Sequence, residues 1–464
     1  MTDTLSPPES AAPEAPRRRG GHPARAAFRA ELRRGIAPWT APAVALTIAV
    51  TMLGKSGQWQ GGWADTQELL HASATLLGGP LVAAAGCWQG GRDHRRRTAG
   101  LWLSVPRGRP ARLVMAAAPV AVWAVVGHLL AAAGVLAATW PYAGAGGPSA
   151  ELIAVDAWFL VCAAFTGFVV GRVWRWRLAA PVLAAAGYLF LGVPTYFASD
   201  LRLLNPAEQY YLGDQVPVGW FAPVMVLWVG APVLALVIGY AARRRLFAVV
   251  PLAVAAALAP LIVSSGEDLF RDDPVAWQLI CTDEAPQVCV GGREGPLLPQ
   301  VSDALAGLRS RLDGVPGAPL RYVSVPVSGG GRTPAGASRL PGPTLGWTVV
   351  RGRLVDPVAY ASETARQLSE RDCPDSASAE DESVAEGDAS AAAEAEEDAH
   401  IRVMQIDDAV VHWLAPSNAT APARDWSGPY LDRLTAMDDA ERRAWLGRYL
   451  ATRDSCDPKE VPAL

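Results

Sequence analysis

Four cysteines in the C-terminal half, a histidine and an aspartate inside apolar stretches, and a basic segment from Gly91 to Ala118 are the residues of this 464-residue chain best placed for chemistry. The known catalytic signatures are missing. No GxxxxGK[ST] run cradles a nucleotide, no HExxH pair holds zinc, and no GxSxG elbow presents a serine. No catalytic residue, metal site or cofactor is therefore assigned, and the chain is not expected to be an enzyme. Scattered carboxylates such as Asp407 and Asp408 are read as solvated.

His128 falls near the middle of one apolar stretch, and Asp156 lies about one turn inside the end of the next. Ionisable groups are costly in hydrocarbon, so each is expected to face other helices or a cavity. His128 is read as a neutral ring hydrogen-bonded to a neighbouring helix. A direct His128 to Asp156 pair would require the two stretches to be offset. Cys281, Cys289, Cys373 and Cys456 form an even set, as in disulfide-bonded domains of oxidising compartments. The favoured pairing joins Cys281 to Cys289 across a short hairpin and Cys373 to Cys456 across a longer excursion. A zinc site is the rival reading, weakened by the absence of CxxC spacing.

The elements that must hold these residues are seven apolar stretches. They run roughly over 36–52, 71–88, 113–140, 152–171, 178–197, 222–241 and 246–264, most of them long enough to cross a hydrocarbon core of about 30 Å. Arginines sort to one side of them. Seven lie before the first stretch, seven between the second and third, and three in each of the two later loops on that side. The opposite short loops hold only Lys55 and Arg202. Because positive residues resist translocation, the N-terminus is expected in the cytoplasm and everything after Ser264 outside. The fold class is an α-helical polytopic membrane protein, N-in and C-out, in the plasma membrane, followed by a mixed α/β extracytoplasmic domain.

Composition supports this division. Residues 1–23 read as a disordered tail, 24–265 as the membrane domain and 266–464 as the outer domain, with an acidic, disordered insertion at 374–400. The outer part is acidic and has no basic stripe, which argues against nucleic acid as a partner. Phe28, Leu32 and Ile36 recur every fourth residue with Arg25, Arg29 and Arg33 out of phase, the pattern of a basic amphipathic helix on the inner leaflet. Gly167 and Gly171 have GxxxG spacing, a weak pointer to a dimer, and Gly134 also invites close helix packing. In the outer domain, helices are expected over 297–312, 357–370, 408–414 and 436–453, and strands over 320–327 and 345–350.

The segment after the second stretch, GRDHRRRTAGLWLSVPRGRPARLVMAAA, resembles the corresponding part of ABC-2 type transporter permeases. It carries Asp93, the run Arg95, Arg96, Arg97, then Thr98, Leu101, Leu103 and Pro106, then Arg107, Arg109 and Arg112. The opening FRAELRRG is also similar to the family's pre-membrane helix, and the resemblance covers about 24–241. It implies a permease-like, dimeric subunit of an export system whose ATPase is a separate chain. That ATPase would dock on Asp93, Arg95, Arg96, Arg97, Leu101, Trp102, Leu103 and Pro106. The alternative is a non-transporting anchor whose outer domain binds a partner. The seventh stretch and the large C-terminal domain depart from the family's six-span core.

Overall fold

The computed structural model describes residues 23–97, 108–174, 176–197, 199–210, 212–324, 333–342, 349–371, 391–416, 423–453 and 455–464. Among them seven helices are long and apolar enough to cross a membrane: Ala37–Gly54, Trp63–Gly90, Arg109–Thr139, Ala150–Val173, Ala179–Tyr196, Phe221–Ala241 and Arg245–Ser265. These are the seven expected spans, with one substantial shift. The second begins eight residues earlier, at Trp63, because Asp65, Gln67, Glu68 and His71 interrupt its apolar pattern. Inside the bundle those side chains find partners: Gln67 is buried and its amide bonds the Ser149 backbone, its Nε2 donating at 2.9 Å and its Oε1 accepting at 2.8 Å. This helix passes through a π-helical turn at Ser73–Gly78.

The second and fourth spans meet backbone to backbone. A methyl group built on Gly167 would strike the Ala83 carbonyl, and one on Gly171 the Cys87 carbonyl. The contact is reciprocal, since Gly86 lies on the Ala164 carbonyl and Gly90 on that of Phe168. The GxxxG spacing thus packs the second and fourth spans of one chain together. A Cβ built on Gly134 meets nothing within 4 Å among the described residues. Gly127 takes a similar role between the third and first spans, against Ala41.

The basic amphipathic helix forms over Pro23–Arg33, at the end of the bundle where the arginine-rich segments gather. That end is called the basic end below. The C-terminal domain sits at the other end and is joined to the bundle at several places, two of them through short strands. Strand β1 (Gln215–Pro217), in the loop between the fifth and sixth spans, pairs antiparallel with β2 (Phe270–Asp272), just after the seventh. Strand β7 (Val349–Val350) and strand β8 (Arg353–Leu354) form a two-residue hairpin whose turn holds Arg351 and Gly352 at φ 53° and 67°. A left-handed arginine is unfavourable. It is held here by Gln60, whose side chain accepts from Arg351 Nε at 2.7 Å and whose carbonyl accepts from the Arg351 amide.

The domain's main sheet has the order β3 (Leu279–Cys281), β4 (Gln287–Gly291), β5 (Arg321–Ser324), β6 (Ala337–Leu340). The β3–β4 pair is antiparallel and the other two pairs are parallel. The parallel β4 to β5 step needs a crossover, supplied by Leu298–Ala304 and Ala306–Leu312. The single helix expected over 297–312 is therefore broken at Leu305. The other expected helices appear as Pro357–Ser369, Ala391–Leu414 and Asp439–Ala451. Ala391–Leu414 takes in the last ten residues of the acidic stretch, which the sequence reading had placed in a disordered insertion. A further helix, Ala423–Ala436, was not foreseen. Val288, Leu305, Tyr322, Ile406, Trp445 and Tyr449 lie in one core beneath the sheet.

Cys281 and Cys289 face each other in the β3–β4 register and are disulfide-bonded, as expected, which removes the zinc reading for this pair. Cys456 is also disulfide-bonded; its expected partner, Cys373, lies outside the described residues. Asp407 and Asp408 are not simply solvated. Asp407 accepts from Tyr449 Oη at 2.6 Å and Arg371 at 3.2 Å, and Asp408 accepts from Ser427 Oγ at 2.7 Å. They cement the last helices of the core.

Candidate functional site

At the basic end, a chain of charges fastens three elements. Arg92 follows directly on the second span and donates to both carboxylate oxygens of Glu31, at 2.8 and 3.0 Å, reaching the amphipathic helix. The hydrogen bonds to Glu31 hold its guanidinium more firmly protonated than usual. Asp93, the next residue, is buried and accepts from Arg172 at the end of the fourth span at 2.6 Å. His94 reaches the Arg172 carbonyl at 3.2 Å. The short helix Arg92–Arg95 is thereby locked to two spans and to the amphipathic helix. Trp123 of the third span adds a bond to the Leu32 carbonyl at 2.8 Å.

Of the residues expected to dock an ATPase, the structure places Asp93 inward, as a lock. Arg95 lies over the ring of Trp88 at 4.0 Å, and Arg96 and Arg97 are exposed. Leu101, Trp102, Leu103 and Pro106 lie outside the described residues. The segment is therefore anchored at its start by an acid, a role that spacing alone did not reveal.

A second constellation lies toward the domain end. Asp156 does pair with a histidine, but with His71 rather than His128: His71 Nδ1 is 2.6 Å from its carboxylate. His71 Nε2 faces the Glu208 carbonyl at 3.0 Å. The result is a buried hydrogen-bonded pair joining the second and fourth spans to the loop after the fifth. Tyr210 lies 5.0 Å from the His71 ring and packs with Phe221 and Phe270. Burial pushes the pKa values of Glu208 and Tyr210 above their ordinary values. His71 escaped notice because it stood at the apparent start of its span. His128 is fully buried, and the Ile153 backbone of the fourth span lies within reach of its ring.

Above this pair the bundle meets the domain around a cavity of about 70 Å³ lined by Asp65, Tyr142, Arg293, Glu294 and several glycines. Arg293 donates to Asp273 at 2.6 Å and to the Leu212 carbonyl at 2.8 Å, tying the domain to the same loop after the fifth span. Burial, with Asp214 adding to it, pushes the Glu294 carboxyl up to about 7, although a bond from Ser324 and the charge of Arg293 oppose the shift. Compared with family models, with curated proteins and with solved structures, the chain matches none.

Proposed function

We propose that the chain is a permease-like subunit of an ABC-2 type export system, dimeric and driven by a separate ATPase. In this reading its basic end lies in the cytoplasm and its C-terminal domain outside the plasma membrane. The observation that supports it best is the Glu31–Arg92 and Asp93–Arg172 chain. A segment that receives force from a partner must not yield at its root. Here the root is pinned by two ion pairs to the amphipathic helix and the fourth span, so a displacement imposed on 98–107 is passed on to the spans. The Cys281–Cys289 disulfide agrees with an oxidising exterior for the domain.

Co-purification tests this. A variant carrying Leu101→Asp, Trp102→Asp and Leu103→Asp should insert normally yet lose a P-loop ATPase that accompanies the wild-type chain. Retained ATPase would overturn the docking claim. The self-contained core of the C-terminal domain favours one second reading, an anchor that presents a binding domain. Under it, activity would survive the same triple substitution.

A further inference from the structure

Between the basic-end halves of the third, fourth, sixth and seventh spans lies a cavity of about 960 Å³, a size that encloses a substantial organic molecule. Its composition is divided. Arg109, Arg112, Arg172 and Arg245 line it, while the rest of its wall is built from Leu113, Phe168, Pro232, Ala235, Leu236 and Leu252, among others. Val173 and Leu252, on its rim, are 66% and 49% exposed, so the apolar side opens toward whatever surrounds the bundle. The acids of the basic-end segments among the described residues are Glu31 and Asp93, already bonded to Arg92 and Arg172. Basic side chains thus outnumber acidic ones in these segments.

We infer that this crevice is a binding site for an anionic phospholipid of the basic-end leaflet, with its phosphate among the arginines and an acyl chain along the apolar wall. Guanidinium groups bond phosphate oxygens in a planar fork, and basic pockets between spans are suited to anionic head groups. A soluble anion would satisfy the arginines but leave the apolar wall unused. The inference rests on the part of the proposed function that places the spans in a bilayer, and not on transport. Gly239 supplies an independent handle, because it lines the cavity and a Cβ built there meets nothing within 4 Å among the described residues. A large residue at Gly239 takes up space in the cavity and leaves every charged residue in place.

Native mass spectrometry of the full chain, delipidated and titrated with phosphatidylglycerol or phosphatidylcholine, tests the site. The wild type should retain phosphatidylglycerol in preference. R109Q/R245Q should weaken it about thirtyfold, at about fivefold per arginine, and leave phosphatidylcholine unchanged. G239F should weaken both lipids, and R243Q/R244Q, just outside the cavity, neither. Equal retention of the two lipids by the wild type would overturn the site. So would an R243Q/R244Q effect equal to that of R109Q/R245Q, or displacement of phosphatidylglycerol by glycerol phosphate at matching concentration. A chain that does not fractionate with membranes would instead overturn the bilayer reading beneath it.

Discussion

Replacing Glu294 by glutamine should remove a pH dependence from the seam between the bundle and the C-terminal domain. Its carboxyl is raised from an ordinary 4.5 to about 7, chiefly by burial beside Asp214. Between these values the folded chain holds a proton that the unfolded chain has released. Stability of the region is therefore highest below the lower value and falls as pH rises through the higher one. At about 1.4 kcal/mol for each pH unit, the gap corresponds to a loss of about 3 kcal/mol by pH 8. Hydrogen exchange on peptides covering Gln287–Leu297, corrected for intrinsic rates, reads the local opening energy directly. The wild type should lose that energy between pH 4.5 and 8, while the glutamine variant should change far less. Identical slopes in the two proteins would refute the assignment.

Three further outcomes are expected. Gly167→Ala should cost about 1–3 kcal/mol through its collision with the Ala83 backbone, seen as a lower melting temperature, without changing the oligomeric state in detergent; loss of a dimer would reinstate an intermolecular role. Asp93→Asn and Arg172→Gln should each destabilise the basic end by about 3–5 kcal/mol, and a double-mutant cycle should show strong coupling, whereas additive effects would deny the lock. The paired change Cys281→Ser and Cys289→Ser should lower the domain's stability by about 2.5 kcal/mol, as loop closure over a sequence separation of 8 implies, measured by urea titration of membrane-reconstituted protein; no change would mean the hairpin is held by its strand pairing alone.

The seven spans were legible because a bilayer demands long apolar runs and little else can produce them. The second span shows where that signal ends. Its first three turns carry Asp65, Gln67, Glu68 and His71, which a hydropathy pattern scores as loop but which the bundle accommodates by giving partners to Gln67, Glu68 and His71. For the same reason Asp156 was recognised as buried while its partner was missed: depth along one pair of helices says nothing about a third. The glycine contacts between the second and fourth spans were visible as spacing, though spacing cannot say whether the facing backbone belongs to the same chain. In the C-terminal domain β3, β4 and β6 are three to five residues long, too short for a period-2 pattern to stand out. The strand β5 and the helices at 357–369 and 439–451 carried stronger signals, the helices being capped by Asp356 and Asp438.

The β1–β2 pairing sets where this protein can be cut. Gln215–Pro217 belongs to the bundle by sequence, yet its hydrogen-bonding partner lies past the seventh span, in Phe270–Asp272. A truncation at Ser265, the natural boundary by hydropathy, would strip the loop between the fifth and sixth spans of its strand partner and expose Tyr210 and Phe221, which Phe270 covers. A bundle expressed without its domain has to extend through Asp273, whose amide bonds the Asp214 carbonyl. The two parts of this chain are therefore not modules joined at a linker: the eight residues from Gly266 to Asp273 complete the helical bundle.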